Sequence, residues 1–160
     1  MYYSILLVTT GQNRVSDILG KIDCRSTVID CSAFRNRTEF LNALSNMGHF
    51  DILVTFRCPY FVPPEIFGRA GVIAVNIHPS LLPQYAGVNP WQSMKAAKET
   101  KGGVTLHYIT DKIDAGKVIE QRCFTMDLNY GIEDARNKSE QIAAEILLSF
   151  LMSIPEMKLI

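Results

Sequence analysis

The stretch Asn76-Ile77-His78-Pro79-Ser80-Leu81-Leu82-Pro83 places a carboxamide and an imidazole two residues apart, directly after the apolar run Val72-Ile73-Ala74-Val75. That run reads as a buried strand, and alternate side chains of an extended chain share a face, so Asn76 and His78 point the same way while Ile77 enters apolar packing. Pro79 has no N–H for a sheet ladder, and the strand is expected to end there. Two N–H donors aimed together suit an oxygen that gains negative charge, as happens when a carbonyl is attacked. Further on, Thr110-Asp111-Lys112-Ile113-Asp114-Ala115-Gly116 supplies a carboxylate at Asp114, in a turn after another strand. Beside an imidazole, such a carboxylate fixes the ring's orientation, favours its charged form and relays a proton. Singly, an Asn or His at a strand end is most often a cap or a satisfied core group. The three together, at the edge where open α/β sheets bind ligands, form a candidate catalytic set.

The longer pattern adds Gly87 with Pro90 three residues on, Gly103-Val104-Thr105 in a strand, and Ile113-Asp114-Ala115-Gly116. From roughly Asp51 to Met126 it resembles the catalytic half of the folate-dependent formyltransferases, each fragment weak alone and strong in combination. That superfamily includes glycinamide ribonucleotide formyltransferase, methionyl-tRNA formyltransferase, the nucleotide-sugar N-formyltransferases and formyltetrahydrofolate deformylase. The resemblance implies Asn76, His78 and Asp114 as catalytic residues and 10-formyltetrahydrofolate as formyl donor. It places the donor against Arg57, Cys58 and Tyr60, where backbone groups hold the pterin ring, and against Ile109 and Asp111. The Arg57–Pro63 segment reads equally as an apolar loop covering the sheet edge. For the acceptor the resemblance marks Gly11, Gln12, Asn13, Ser80 and Gly87. Purine-pathway members bind a phosphate with a glycine-rich loop where this chain has Gly11 and Asn13; one glycine also fits a plain turn before a helix. Two departures blur the acceptor: Ala86 stands where tRNA- and sugar-acting members carry arginine, although Pro90 resembles those members, and the N-terminal half is about one βα unit short.

The elements that must position these groups alternate. Strands are expected over Ser4–Thr10, Thr27–Cys31, Asp51–Phe56, Val72–Val75, Val104–Ile109 and Lys117–Met126, with helices near Arg14–Lys21, Trp91–Thr100 and Tyr130–Ser153. Thr38 is the expected N-cap of a helix through Leu44, Pro64–Gly68 one turn closed by Gly68, and Trp91 a helix anchor. His49 is expected at the surface near a helix C-terminus, His107 as a sheet-face residue, and Glu133, Lys138 and Glu140 in water. The fold class is α/β: a Rossmann-like, doubly wound, mostly parallel sheet with an antiparallel C-terminal strand pair.

With 160 residues, 48% hydrophobic and 20% charged, the chain is expected to be a single catalytic domain. Sixteen basic and sixteen acidic residues cancel, giving no electrostatic footprint for nucleic acid or an anionic membrane. The C-terminal extension of tRNA-acting members has no room after Ile160, so methionyl-tRNA is the least expected acceptor. The segment from Met1 to Val8 is neither a leader nor a membrane span, and a cytoplasmic protein is expected. Cys24, Cys31, Cys58 and Cys123 form no Cys-x-x-Cys pair and read as reduced packing residues. Three dispersed histidines lack metal-ligand spacing, and Ser80 lies outside a Gly-x-Ser-x-Gly elbow. The expected activity is formyl transfer to the amine of a small acceptor, an amino-sugar nucleotide or a glycinamide-like compound, with Asn76 and His78 holding the oxyanion and Asp114 relaying the proton. Hydrolysis of the same donor and a non-catalytic folate-binding module are the alternatives; the oligomeric state stays open, a homodimer included.

Overall fold

Among the described residues, six strands make one sheet in the order β2-β1-β3-β4-β5-β6. They are β1 (Ser4–Thr9), β2 (Arg25–Asp30), β3 (Ile52–Phe56), β4 (Ile73–His78), β5 (Lys101–Tyr108) and β6 (Val118–Thr125). The computed structural model describes residues 2–160, so Met1 lies outside the described residues. The first four strands are mutually parallel, and β5 and β6 each run antiparallel to the strand before. This is the doubly wound α/β sheet that the alternation of patterns implies. β1 and β3 are Ile/Leu/Val runs buried at every position but Ser4, as strands covered on both faces require.

Alternation divides the core. Ile5, Leu7, Ile52, Val54, Val75, Ile77, Val104 and Leu106 face helices α1 (Arg14–Leu19) and α5 (Ile132–Met152). Leu6, Val8 and Leu53 face α2 (Arg37–Ser45) and α3 (Pro64–Phe67), through Phe40, Leu44 and Ile66. Ile146 and Leu147 on α5 are fully buried; each such side chain contributes about 1.5–3 kcal/mol. A third cluster seats α4 (Pro90–Ala96) through Trp91 and Met94 against Met126, Tyr130 and Ala135. Trp91 is the expected anchor: its Nε1 donates to Ser139 Oγ at 3.1 Å.

The structure corrects several local expectations. The cap of α2 is Asn36, whose side chain accepts from Glu39 N, rather than Thr38. α4 stops at Ala96, short of Thr100, and Lys98 follows with φ 57°. Val72 is exposed and precedes β4. His49 pairs with Asp51 at 2.9 Å instead of serving a helix end. Glu140, expected in water, is partly buried and holds Arg14 N and Arg57 Nη1.

Candidate active site

Strand register builds the site. Thr55, Asn76 and His107 are direct partners across β3, β4 and β5, so three polar side chains form one row on the α2/α3 face of the sheet. Thr55 Oγ1 donates to Asn76 Oδ1 at 2.7 Å, and Asn76 Nδ2 meets His107 Nε2 at 3.0 Å. With its proton on Nδ1, donated to the Tyr108 carbonyl at 2.9 Å, His107 accepts from Asn76. His78 lies two residues along β4, opposite Thr105, and its Nε2 meets the Tyr85 carbonyl at 2.9 Å. The connection between β5 and β6 then carries Asp114, in left-handed backbone with φ 51°, against this row. Asp114 Oδ2 accepts from Gly87 N at 2.7 Å and lies 3.4 Å from His78 Nδ1. Its Oδ1 accepts from Asn76 Nδ2 at 3.3 Å and lies 3.6 Å from His107 Nε2.

Asn76, His78 and Asp114 are thus brought together, as the family resemblance implies. The added member is His107, expected as a sheet-face residue; it is buried and touches both Asn76 and Asp114. Burial pushes the His78 ring below its ordinary value of 6.5, outweighing the pull of Asp114. Burial raises the Asp114 carboxyl, but its polar neighbours, the Gly87 N–H among them, outweigh it and hold it below 3.8. The pair is therefore a neutral imidazole facing an ionised carboxylate, since an enclosed ring gains less from one anion than it loses in hydration. Neutral His78 gives its Nε2 proton to Tyr85 and turns the Nδ1 lone pair toward Asp114.

A cavity of about 460 Å³ opens over this cluster. Asn76, His78, His107 and Asp114 line it, and so do Arg57, Cys58, Tyr60, Ile109 and Gly87 among the expected ligand-binding residues. Phe61 and Val62, within the expected Arg57–Pro63 segment, also line it, as does Trp91, expected only as a helix anchor; Thr10 lines it in a place no sequence signal marked. Among the described residues, no backbone–backbone hydrogen bond is made by Cys58 through Val62; the Tyr60 carbonyl accepts from the Cys58 thiol at 3.2 Å, and the other peptide groups of this wall have no backbone partner. Asp111 is a correction: it is exposed and does not line the cavity, although Thr110 before it and Lys112, Ile113 and Asp114 after it do. Ser80 is another; its fully buried hydroxyl donates to the Gln84 carbonyl at 2.6 Å and holds the Pro79–Pro83 turn.

Gly11, Gln12 and Asn13 also lie outside the cavity lining. Gly11 N donates to Asp30 Oδ1 at 2.9 Å, and Arg14 N donates to Glu140 Oε1 at 2.8 Å. Asn13 Oδ1 accepts from Val15 N and Ser16 N, while Ser16 Oγ accepts from Asn13 N, closing a capping box. Of the amides in the loop expected to meet an acceptor phosphate, those of Gly11, Asn13, Arg14, Val15 and Ser16 are thus occupied by the chain's own oxygens.

The family model described as formyl transferase matches residues 5–151. Methionyl-tRNA formyltransferase of Coprothermobacter proteolyticus is 28% identical over 120 residues, which is 75% of this chain and 39% of that protein. The chain therefore spans about two fifths of that curated relative's length. Phosphoribosylglycinamide formyltransferase from Bacillus halodurans has a TM-score of 0.73 at 20% identity, over 96% of this chain and 97% of that one. The formyltransferase PseJ from Anoxybacillus kamchatkensis, solved with UDP-4,6-dideoxy-4-formamido-L-AltNAc and tetrahydrofolate, has a TM-score of 0.70 at 23% identity, over 98% and 80% of the two chains. At these identities the two structures establish a shared fold.

Proposed function

The chain belongs to the formyl transferase family, and from that premise we propose that it moves a formyl group from 10-formyltetrahydrofolate to an amine. The observation that carries this reading is the convergence of Asn76, His78 and Asp114 on one cavity. The wall of Tyr60, Phe61, Val62 and Ile109 fits a flat heterocycle on the donor side, and the peptide groups of Cys58–Val62 without a backbone partner suit its ring nitrogens and oxygen.

In this reading the formyl oxygen takes an Asn76 Nδ2 hydrogen in place of the long 3.3 Å contact to Asp114. The acceptor nitrogen attacks the formyl carbon, a C–N bond forms, and the carbonyl oxygen becomes an oxyanion held by that donor. The amine proton passes to His78 Nδ1, where Asp114 Oδ2 faces the resulting imidazolium. The same proton goes to the folate N10 as the C–N10 bond breaks. His78 then serves chiefly as proton carrier rather than as an oxyanion donor, because its Nε2 hydrogen is already given to Tyr85. Thr55 and His107 act as positioning residues that fix the Asn76 amide.

The acceptor class follows less directly. The occupied β1–α1 amides favour an acceptor with no phosphate in that loop, an amino sugar before a glycinamide ribonucleotide. They also favour the hydrolytic reading, in which water takes the formyl group. The expectation that nucleic acid is not a partner rests on charge balance alone, beside a relative whose name carries tRNA.

The test is to supply 10-formyltetrahydrofolate with separate pools of amino sugars, their nucleotides, glycinamide compounds and methionyl-tRNA, and to follow tetrahydrofolate release and formylated product. Release that needs an amine supports transfer; steady release without one supports hydrolysis. Asn76→Ala is expected to lose 10²–10³ in kcat. A His78→Ala protein that matches the parent overturns the assignment.

A further inference from the structure

Two cysteines on separate strand ends meet beside the cavity. Cys31 opens a 3-10 turn (Cys31–Ala33) after β2, is 2% exposed and packs among Leu6, Val8 and Phe40. Cys58 follows β3, is half-buried and lines the cavity. Their sulfurs lie 3.4 Å apart, with the Cys31 thiol directed at Cys58 Sγ.

We propose that Cys31 and Cys58 are a dithiol that a hydroperoxide converts to a disulfide, and that the bond pulls the Cys58–Val62 wall toward β2. This inference is independent of the formyl-transfer reading. The reacting sulfur is Cys58, which alone of the two reaches the cavity. The hydrogen bond from Cys31 holds the Cys58 thiol below its ordinary value against burial, and the same contact, with burial, holds Cys31 up. Cys58 sulfur attacks one peroxide oxygen, an S–O bond forms, the O–O bond breaks, and water leaves from the hydrogen peroxide. Cys31 sulfur then attacks Cys58, the S–S bond forms, the S–O bond breaks, and the Cys31 proton leaves with the oxygen as a second water. Both sulfurs are oxidised by one peroxide reduced to two waters.

Closing from 3.4 Å to an S–S bond of about 2.05 Å takes about 1.3 Å of movement. Cys31 is fixed in its turn by Asp30, which accepts from Ser32 N, and by the packed core around it. Cys58 sits where the described backbone makes no backbone–backbone hydrogen bonds, so the wall moves and the turn stays. Tyr60, stacked on Phe40 with ring centroids 4.8 Å apart, is the pivot of that shift.

The experiment treats the intact protein with hydrogen peroxide, maps peptides by mass spectrometry and measures amide hydrogen exchange over residues 58–62. A Cys31–Cys58 linked peptide two hydrogens lighter than the sum, with Cys24 and Cys123 still alkylatable, is expected. Exchange at 58–62 is expected to slow severalfold and to recover with dithiothreitol. In Cys31→Ser, dimedone should trap Cys58 as a sulfenic acid and exchange should stay unchanged. Loss of the Cys123 thiol with no Cys31–Cys58 peptide overturns the proposal, and so does a linked peptide with unaltered exchange. Neither readout needs a folate or an acceptor.

Discussion

Replacing Asp114 by Asn keeps the side chain's size and removes its charge. One end of the new amide becomes a donor. If it faces Gly87, two N–H groups oppose each other across the present 2.7 Å bond. If it faces Asn76, the opposition is across a 3.3 Å contact, and the amide turns that way because less is lost. A buried donor left facing a donor costs about 1–3 kcal/mol, and this geometry points to the lower end. For a domain of this size each kcal/mol lowers Tm by about 2–4 °C. The effect on rate is larger. A charged His78 and Asp114 at 3.4 Å attract by about 5 kcal/mol at an effective dielectric near 20, before relaxation is subtracted. Loss of a proton-transfer partner typically costs about 10²–10⁴ in rate, or about 2.7–5.4 kcal/mol, so the two estimates overlap. Asp114→Asn should therefore melt within a few degrees of the parent while single-turnover formyl transfer at neutral pH falls by about 10²–10⁴. A folded variant that transfers within threefold of the parent would refute the role given to this carboxylate.

Gly116→Ala would place a Cβ 1.8 Å from the Tyr108 carbonyl oxygen, so the turn must shift; a cost of about 1–3 kcal/mol in urea unfolding is expected, with transfer reduced because Asp114 moves too. His107→Ala leaves an Asn76 N–H without its acceptor and should cost about 1–3 kcal/mol in the same assay; His107→Gln, whose amide oxygen can accept, should recover part of both stability and activity. His78 and Asp114 both bind protons less readily folded than unfolded, so their contribution to stability is present above the unfolded values. It is lost as pH falls below 6.5 for His78 and below 3.8 for Asp114, and denaturant midpoints measured across that range should drop in His78-dependent and then Asp114-dependent steps, the first absent in His78→Gln.

Asn76 and His78 were legible because period-two alternation is local: an apolar residue between two polar ones settles which side chains share a face. Asp114 needed the longer motif, since nothing near it in sequence says that its turn folds back over β4. His107 carried half a signal. Thr105 and His107 alternate with Val104 and Leu106, but only the register of β5 against β4 puts His107 opposite Asn76. The occupants of the β1–α1 amides were beyond reading, because Asp30 and Glu140 arrive from distant elements. The α2 cap was within reach: Asn36 with Glu39 three residues on is a capping signature, and Thr38 drew attention from it. Asp111 and Ser80 were placed by counting along a motif, which fixes neither exposure nor direction. The Cys31–Cys58 contact joins two strands that are not neighbours in the sheet, so cysteine spacing held no trace of it.

The ladder between β5 and β6 slips between Leu106 and His107. A bulge of this kind re-aims the chain beyond it, and here that chain carries Asp114. The number of residues in the hairpin is therefore as much a determinant of chemistry as their identity. Removing or adding one amino acid between His107 and Asp114 would rotate the carboxylate to the wrong side while preserving every side chain that a motif search would recognise.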